Sequence, residues 1–258
     1  MPKVSACLIT LNEARNIEEC LSSVKWADEI VVVDSGSTDG TVELCRRFTD
    51  RVLVMNWAGH VAQKNRAVEA ASNDWVFCID ADERVTPELA REIKSILSEE
   101  PPCAGYTVPR RTWYAGRWIW HGGWYPDRKL RLFDRKRGRF TGMDPHDRVE
   151  VKGPVGKLRN DLLHYSYRDI AHHVRQINRY TDTMAELKAG RGVGVPLLRM
   201  ISYPPVKFFK MYLLRMGFLD GPQGLILAVL GAVYEFLKYA KLWEIRVGEK
   251  RAGGPPDK

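Results

Sequence analysis

The chain has 258 residues, long enough for one large α/β domain or one domain with an extension. Apolar residues make up 45% and charged residues 28%, which excludes global disorder. Lys and Arg number 40 against 32 Asp and Glu, and the net charge of +8 favours nucleotides or an acidic membrane surface as partners; nucleic acid is set aside, because no zinc-finger spacing or RNA-binding signature is present.

Val4 to Leu11 is an apolar run of strand type that ends in Thr10-Leu11-Asn12-Glu13. It begins so close to Met1 that a signal peptide has no room, which places the protein on the cytoplasmic side as an expectation. Ile17, Leu21 and Val24 then mark one face of a helix. Glu29 to Asp34 reads as a second buried strand, closed by the turn cluster Ser35-Gly36-Ser37-Thr38-Asp39-Gly40-Thr41 and a helix through Val42, Leu44, Cys45 and Phe48. Val52 to Met55 reads as a third strand and His60 to Ala71 as a helix carrying Gln63, Lys64, Asn65 and Arg66.

Trp75 to Asp80 is a fourth buried strand, and it runs straight into Asp80-Ala81-Asp82-Glu83. Alternation lets Asp80 and Asp82 share a side, where two carboxylates repel unless a cation sits between them. A hard divalent ion completed by substrate phosphates answers that need. Thr86-Pro87-Glu88 then opens a helix with Leu89, Ile93 and Leu97 on its core face.

Strands alternating with helices predict a mostly parallel, Rossmann-like sheet whose ligands bind beyond the carboxyl ends of its strands. Thr10 to Glu13, Asp34 to Asp39 and Asp80 to Asp82 all fall at those ends. A dinucleotide site fails on chemistry: Thr-Leu-Asn-Glu stands where a Gly-x-Gly-x-x-Gly turn would be needed, and no P-loop is present.

Past Pro101-Pro102 the alternation stops, and Tyr106 to Val108, Lys129 to Phe133, Arg148 to Val151 and Leu162 to His164 read as shorter strands. Arg110 to Trp124 holds four tryptophans among arginines, either an aromatic minicore or a platform on which acceptor sugars stack. Ile170 to Leu187 reads as a polar helix. Leu197 to Leu219 interleaves apolar residues with Arg199, Lys207, Lys210 and Arg215, and Leu225 to Val233 is apolar but shorter than the ~20 residues of a span. The expectation is a basic amphipathic segment lying in an anionic interface, or a helical pair packed on the catalytic domain. Five scattered cysteines without a Cys-x-x-Cys pair suit reduced core thiols.

The motifs Thr10-Leu11-Asn12-Glu13, Val32 to Thr41, Lys64-Asn65 and Asp80-Ala81-Asp82 together resemble the family 2 glycosyltransferases, inverting enzymes of GT-A fold. Gly123 to Asp127, Lys129 to Phe133, the Phe-x-Gly-x-x-x-His segment from Phe140 to His146 and Phe218-Leu219-Asp220-Gly221 are similar to bacterial transferases that build the lipopolysaccharide inner core. The resemblance implies transfer of a hexose, often glucose from UDP-glucose, onto a core sugar such as heptose, with Mg2+ or Mn2+ as cofactor. It implies uridine and ribose contacts at Thr10, Asn12, Glu13 and Asp34, diphosphate or ribose contacts at Lys64 and Asp80, and further substrate contacts at Trp124 and Arg131. It implies metal ligation at Asp82 and His164 and a catalytic base at Asp147, with Asp144 a rival for that role. Close relatives more often end that segment His-Glu, so the His146-Asp147 carboxylate here reaches one methylene less.

The expected organisation is a nucleotide-sugar-binding half over 1–100, an acceptor-binding half over 101–168 and a helical, membrane-proximal extension over 169–258. The expected partners are a nucleotide-sugar donor, a lipid-linked saccharide acceptor and the cytoplasmic face of the inner membrane, held peripherally. Transfer to a polyprenyl phosphate and a non-catalytic nucleotide-sugar-binding scaffold are the alternatives.

Overall fold

The computed structural model describes residues 2–143, 146–191, 193 and 197–252. Along the chain, β1 (Val4–Thr10), α1 (Ile17–Ser23), β2 (Glu29–Asp34), α2 (Thr41–Arg46), β3 (Val52–Val54), α3 (His60–Ala70) and β4 (Trp75–Asp80) alternate as the periodicity predicts. These strands run parallel in the order β3-β2-β1-β4. The residues of β1 and β4 bury both their faces: Ala6, Leu8 and Phe77 enter one core cluster, and Cys7, Val76 and Cys78 enter the other. That double burial is why these strands are continuously apolar.

Then come β5 (Glu83–Val85), α4 (Pro87–Ser98), β6 (Gly105–Tyr114), β7 (Arg117–Trp118) and β8 (Asp127–Asp134). Thr86 caps α4 by accepting the Leu89 N–H at 3.1 Å, and Leu89, Ile93 and Leu97 are buried. After these follow β9 (Gly138–Met143), β10 (His146–Val151), β11 (Val155–Lys157) and β12 (Leu162–His164). β8 lies antiparallel against β4, and the sheet continues β8-β6-β12-β5. β9 and β10 form a separate antiparallel pair with Asp147 opposite Gly142.

The chain divides into two compact units, residues 1–111 with 126–165 and residues 112–125 with 166–258. The first contains the sheet. The second contains the end of β6 with β7, then α5 (Ile170–Gly190), α6 (Leu197–Phe209), a π-helical turn (Lys210–Leu214), a 3-10 turn (Gly217–Asp220) and α7 (Gly221–Ala252). The expected stretch 101–168 is therefore split. Residues 112–125 go with the C-terminal helices because their apolar side chains pack there: Tyr114 and Ile119 share a buried cluster with Met211, Leu227 and Ala228. Asp220, fully buried, accepts the backbone N–H of Trp120 at 3.1 Å and of His121 at 2.7 Å.

Candidate active site

Register brings the polar strand ends together, since Thr10 lies beside Asp34 and Ile9 beside Asp80. Asp34 is buried and shapes the turn after β2. Its Oδ1 accepts the N–H groups of Gly36 at 2.9 Å and Ser37 at 2.8 Å, and its Oδ2 accepts the Thr10 hydroxyl at 2.9 Å. Asn12, at φ 55°, stitches this turn to the loop after β1: its N–H donates to Ser37 Oγ at 2.8 Å and its Oδ1 accepts the Thr38 N–H at 2.9 Å. Asparagine tolerates that left-handed backbone with its short polar side chain. The Glu13 carboxylate accepts from Asn16 at 2.8 Å. Burial pushes the Glu13 carboxyl up; the Asn16 hydrogen bond opposes this and the Asp82 charge adds to it.

At the end of β4 an alternating chain of charges begins. Lys64 Nζ, from α3, sits 2.9 Å from Asp147 Oδ2 and 3.1 Å from Asp80 Oδ1. Arg131, from β8, reaches Asp80 Oδ2 at 2.5 Å and Glu83 Oε1 at 2.6 Å. Arg110, from β6, continues to Glu83 at 3.1 Å and to its cross-strand partner Asp127 at 2.5 Å. Glu83 also accepts the backbone N–H of Asp80 at 3.0 Å, so it holds the strand end as well as both arginines. Burial works against the ionised Asp80, but the Arg131 and Lys64 charges outweigh it and hold that carboxyl well below the usual range. Burial likewise opposes the charged Lys64, and the Asp80 charge overcomes it, so its ammonium is held.

Asp82 faces a different partner. The antiparallel pairing of β12 with β5 sets His164 opposite Glu83, and the Tyr165 N–H donates to the Asp82 carbonyl at 2.8 Å. His164 Nε2 thereby lies 3.3 Å from Asp82 Oδ2. Burial raises the Asp82 carboxyl; the His164 hydrogen bond and charge more than offset this, leaving it lowered.

Asp147 is placed by α3. The Asn65 amide donates to the Phe140 carbonyl at 3.0 Å and accepts the Phe140 N–H at 2.9 Å, which clamps β9 to the helix. The Phe140 ring packs on Phe133, with centroids 6.1 Å apart. One residue before the clamp, Lys64 meets the carboxylate that β10 presents.

Of the expected site residues, Thr10, Asn12, Glu13, Asp34, Lys64, Asp80, Asp82, Arg131, Asp147 and His164 all belong to the first unit. Thr10 and Asp34 spend polar groups on each other and on the turn. Trp124 belongs to the second unit, half-buried with its ring about 6 Å from those of Tyr114, Tyr167 and His173, which is the minicore arrangement. Asp144 lies outside the described residues. Three members of the charge chain, Glu83, Arg110 and Asp127, carry no site role in the sequence reading. Glu83 adjoins the Asp-Ala-Asp motif, which is a signal; the pairing of Arg110 with Asp127 depends on strand register and leaves none.

Among the described residues no three His, Cys, Asp or Glu side chains are grouped to hold a metal. Asp82 with His164 offers two protein donors. That set fits a divalent cation that keeps waters and takes substrate phosphates as its other ligands.

The parallel run β3-β2-β1-β4 with its acidic strand ends, the lysine bridging two carboxylates and the carboxylate–imidazole pair agree with the GT-A glycosyltransferase fold that the motifs imply. Residues 5–151 match the model of Glycosyl transferase family 2, and the chain belongs to that family. It is 33% identical to the lipopolysaccharide core biosynthesis glycosyltransferase LpsC of Rhizobium meliloti (strain 1021), across 95% of this chain and 94% of that protein. It is 32% identical to a glycosyltransferase of Rickettsia felis (strain ATCC VR-1525 / URRWXCal2), across 95% of this chain and 90% of the relative. Among solved structures, S. aureus TarS 1-349 aligns over 99% of this chain and 93% of its own, at 15% identity and a TM-score of 0.48.

Proposed function

We propose that this glycosyltransferase moves a hexose, with glucose from UDP-glucose the first candidate, onto a sugar of a lipid-linked lipopolysaccharide core, with inversion at the anomeric carbon. The observation that carries the reading is Lys64, whose one ammonium spans the Asp80 carboxylate and the Asp147 carboxylate. Similarity to the core biosynthesis glycosyltransferase supports the acceptor class. In this reading the donor is held by residues from 1–100 and the acceptor side is built around Asp147. The reaction is placed at the cytoplasmic face of the inner membrane.

Asp147 takes the proton from the acceptor hydroxyl as its oxygen attacks the anomeric carbon. The bond to the diphosphate breaks in the same displacement, and its electron pair leaves with the phosphate oxygen. A single base without a carboxylate nucleophile gives inversion. Lys64 lends positive charge to the departing diphosphate, while Arg131 holds Asp80 in place. Asp82 and His164 would hold Mg2+ or Mn2+, which when bound neutralises charge developing on the phosphates.

The test is label transfer by the full chain from a panel of UDP- and ADP-sugars to core oligosaccharide and, separately, to polyprenyl phosphate. The expected result is transfer from UDP-glucose to the core acceptor, abolished by EDTA or by Asp82→Ala. Full transfer in chelator removes the metal from the scheme, and transfer to polyprenyl phosphate alone replaces the acceptor.

A further inference from the structure

The second unit carries a surface that neither its own packing nor the transfer chemistry uses. On one side of α6, Met200 packs against Ala185, Tyr239 and Leu242, and Phe208 packs on the cluster around Met211. On the other, Leu198, Ile201, Pro205 and Phe209 follow one another at spacings of three and four and are exposed, Leu198 at 73% and Ile201 at 65%. The stripe continues into the π-helical turn through Leu213 and Leu214, the latter 80% exposed. An apolar helix stripe belongs against a core or in lipid, and of the two apolar sides of α6 only one has a core.

Charge says what covers the other face. From Leu187 to Leu219 the sequence has no Asp or Glu, while Arg199, Lys207, Lys210 and Arg215 lie among the apolar residues. Asp220, the acid that ends this run, is turned inward onto the backbone of Trp120 and His121. Lys210 and Arg215 are exposed beside the stripe. A protein partner of ordinary composition would not select an acid-free apolar surface of this kind; an anionic headgroup layer over acyl chains does.

We propose that the outward face of α6 and the turn after it docks on an anionic lipid bilayer, lying in the interface plane with the leucines at the acyl boundary and the cations at headgroup level. The 13 residues of α6 measure about 20 Å, short of the ~30 Å hydrocarbon thickness. Among the described residues no single helix is long and apolar enough to cross a membrane, and the pair Leu197–Leu214 with Gly217–Gly248, which has the composition, is bent by 72°. The inference deepens the reading of a lipid-linked acceptor, and vesicle binding is measured without donor or acceptor, so either fails without the other.

The experiment is co-flotation of the full chain with phosphatidylcholine vesicles and with vesicles that also contain phosphatidylglycerol. The wild type is expected to float with the anionic vesicles only. Lys210→Gln with Arg215→Gln should weaken binding about thirtyfold, from the two headgroup charges lost. Ile201→Glu with Phe209→Glu should abolish it, with thermal melting unchanged because both side chains are exposed. Hydrogen exchange on the wild type adds a measurement without substitutions: 197–219 should gain protection on anionic vesicles. Equal flotation with both vesicle types, no loss in either double variant, or no gain of protection overturns the proposal. So do resistance to alkaline carbonate extraction, which means a span, and self-association without vesicles that Ile201→Glu abolishes, which means a contact between copies.

Discussion

Glu83 presents no group to solvent, yet one of its oxygens receives two guanidinium groups. Removing its charge leaves the buried Arg131 to Asp80 alone and the half-buried Arg110 to Asp127 alone, and breaking such a pair costs up to about 3–5 kcal/mol. Denaturant unfolding of Glu83→Gln should show a loss of that size. Adding Arg110→Gln should recover part of it, because the second substitution removes one of the two cations that lost a partner; strictly additive losses would mean the charges are not coupled. Sequence made the Asp-Ala-Asp pair conspicuous, since both acids end an apolar strand. It gave Arg110 and Asp127 no such mark, because two charges seventeen positions apart become partners only when β6 and β8 take their register.

At the scale of elements, α3 does two things within one turn: Lys64 joins the charge chain and Asn65 clamps β9. Asn65→Ala strips two hydrogen bonds from the Phe140 peptide and should cost about 1–3 kcal/mol, the penalty of leaving buried polar groups unmet. Because the clamp positions β10, turnover should fall while the donor KM stays near that of wild type. A donor KM that rises in proportion would place the clamp's effect in the donor pocket instead. Apart from the three-residue β5 (Glu83–Val85), too short to show a period, the strands and helices of the first hundred residues were legible from apolar periodicity and turn residues, to within one or two positions at their ends. The later half was less so: β6 runs from Gly105 to Tyr114, where the apolar signal reaches only Tyr106 to Val108, because Arg110 and Arg111 are strand residues satisfied by Asp127 and Asp161.

On the scale of the molecule, the polar cluster expected to carry transfer lies in one unit and the exposed apolar face in the other. The partition was hidden in the sequence because the tryptophan-rich stretch after β6 leaves its neighbours to pack with helices far along the chain. The second unit also carries a pH liability. Burial first, then the His172 charge, lowers the His173 imidazole to about 4, and Tyr114 Oη lies 2.9 Å from its Nδ1. An unfolded histidine takes its proton near ~6.5, so protons favour the unfolded chain between those values. Stability from this group is full above about pH 6.5 and declines as pH falls toward 4. Melting temperature against pH should fall through that window, and His173→Phe should flatten the slope; an unchanged slope would assign the acid sensitivity elsewhere.

The scheme as a whole depends on Asp147 receiving the acceptor's proton beside the lysine that answers the leaving group. Steady-state kinetics of Asp147→Asn with UDP-glucose and core acceptor test this most directly. Turnover is expected to drop by about 10²–10⁴-fold, the usual contribution of a general base, with the donor KM nearly unchanged. Turnover close to wild type would contradict the account.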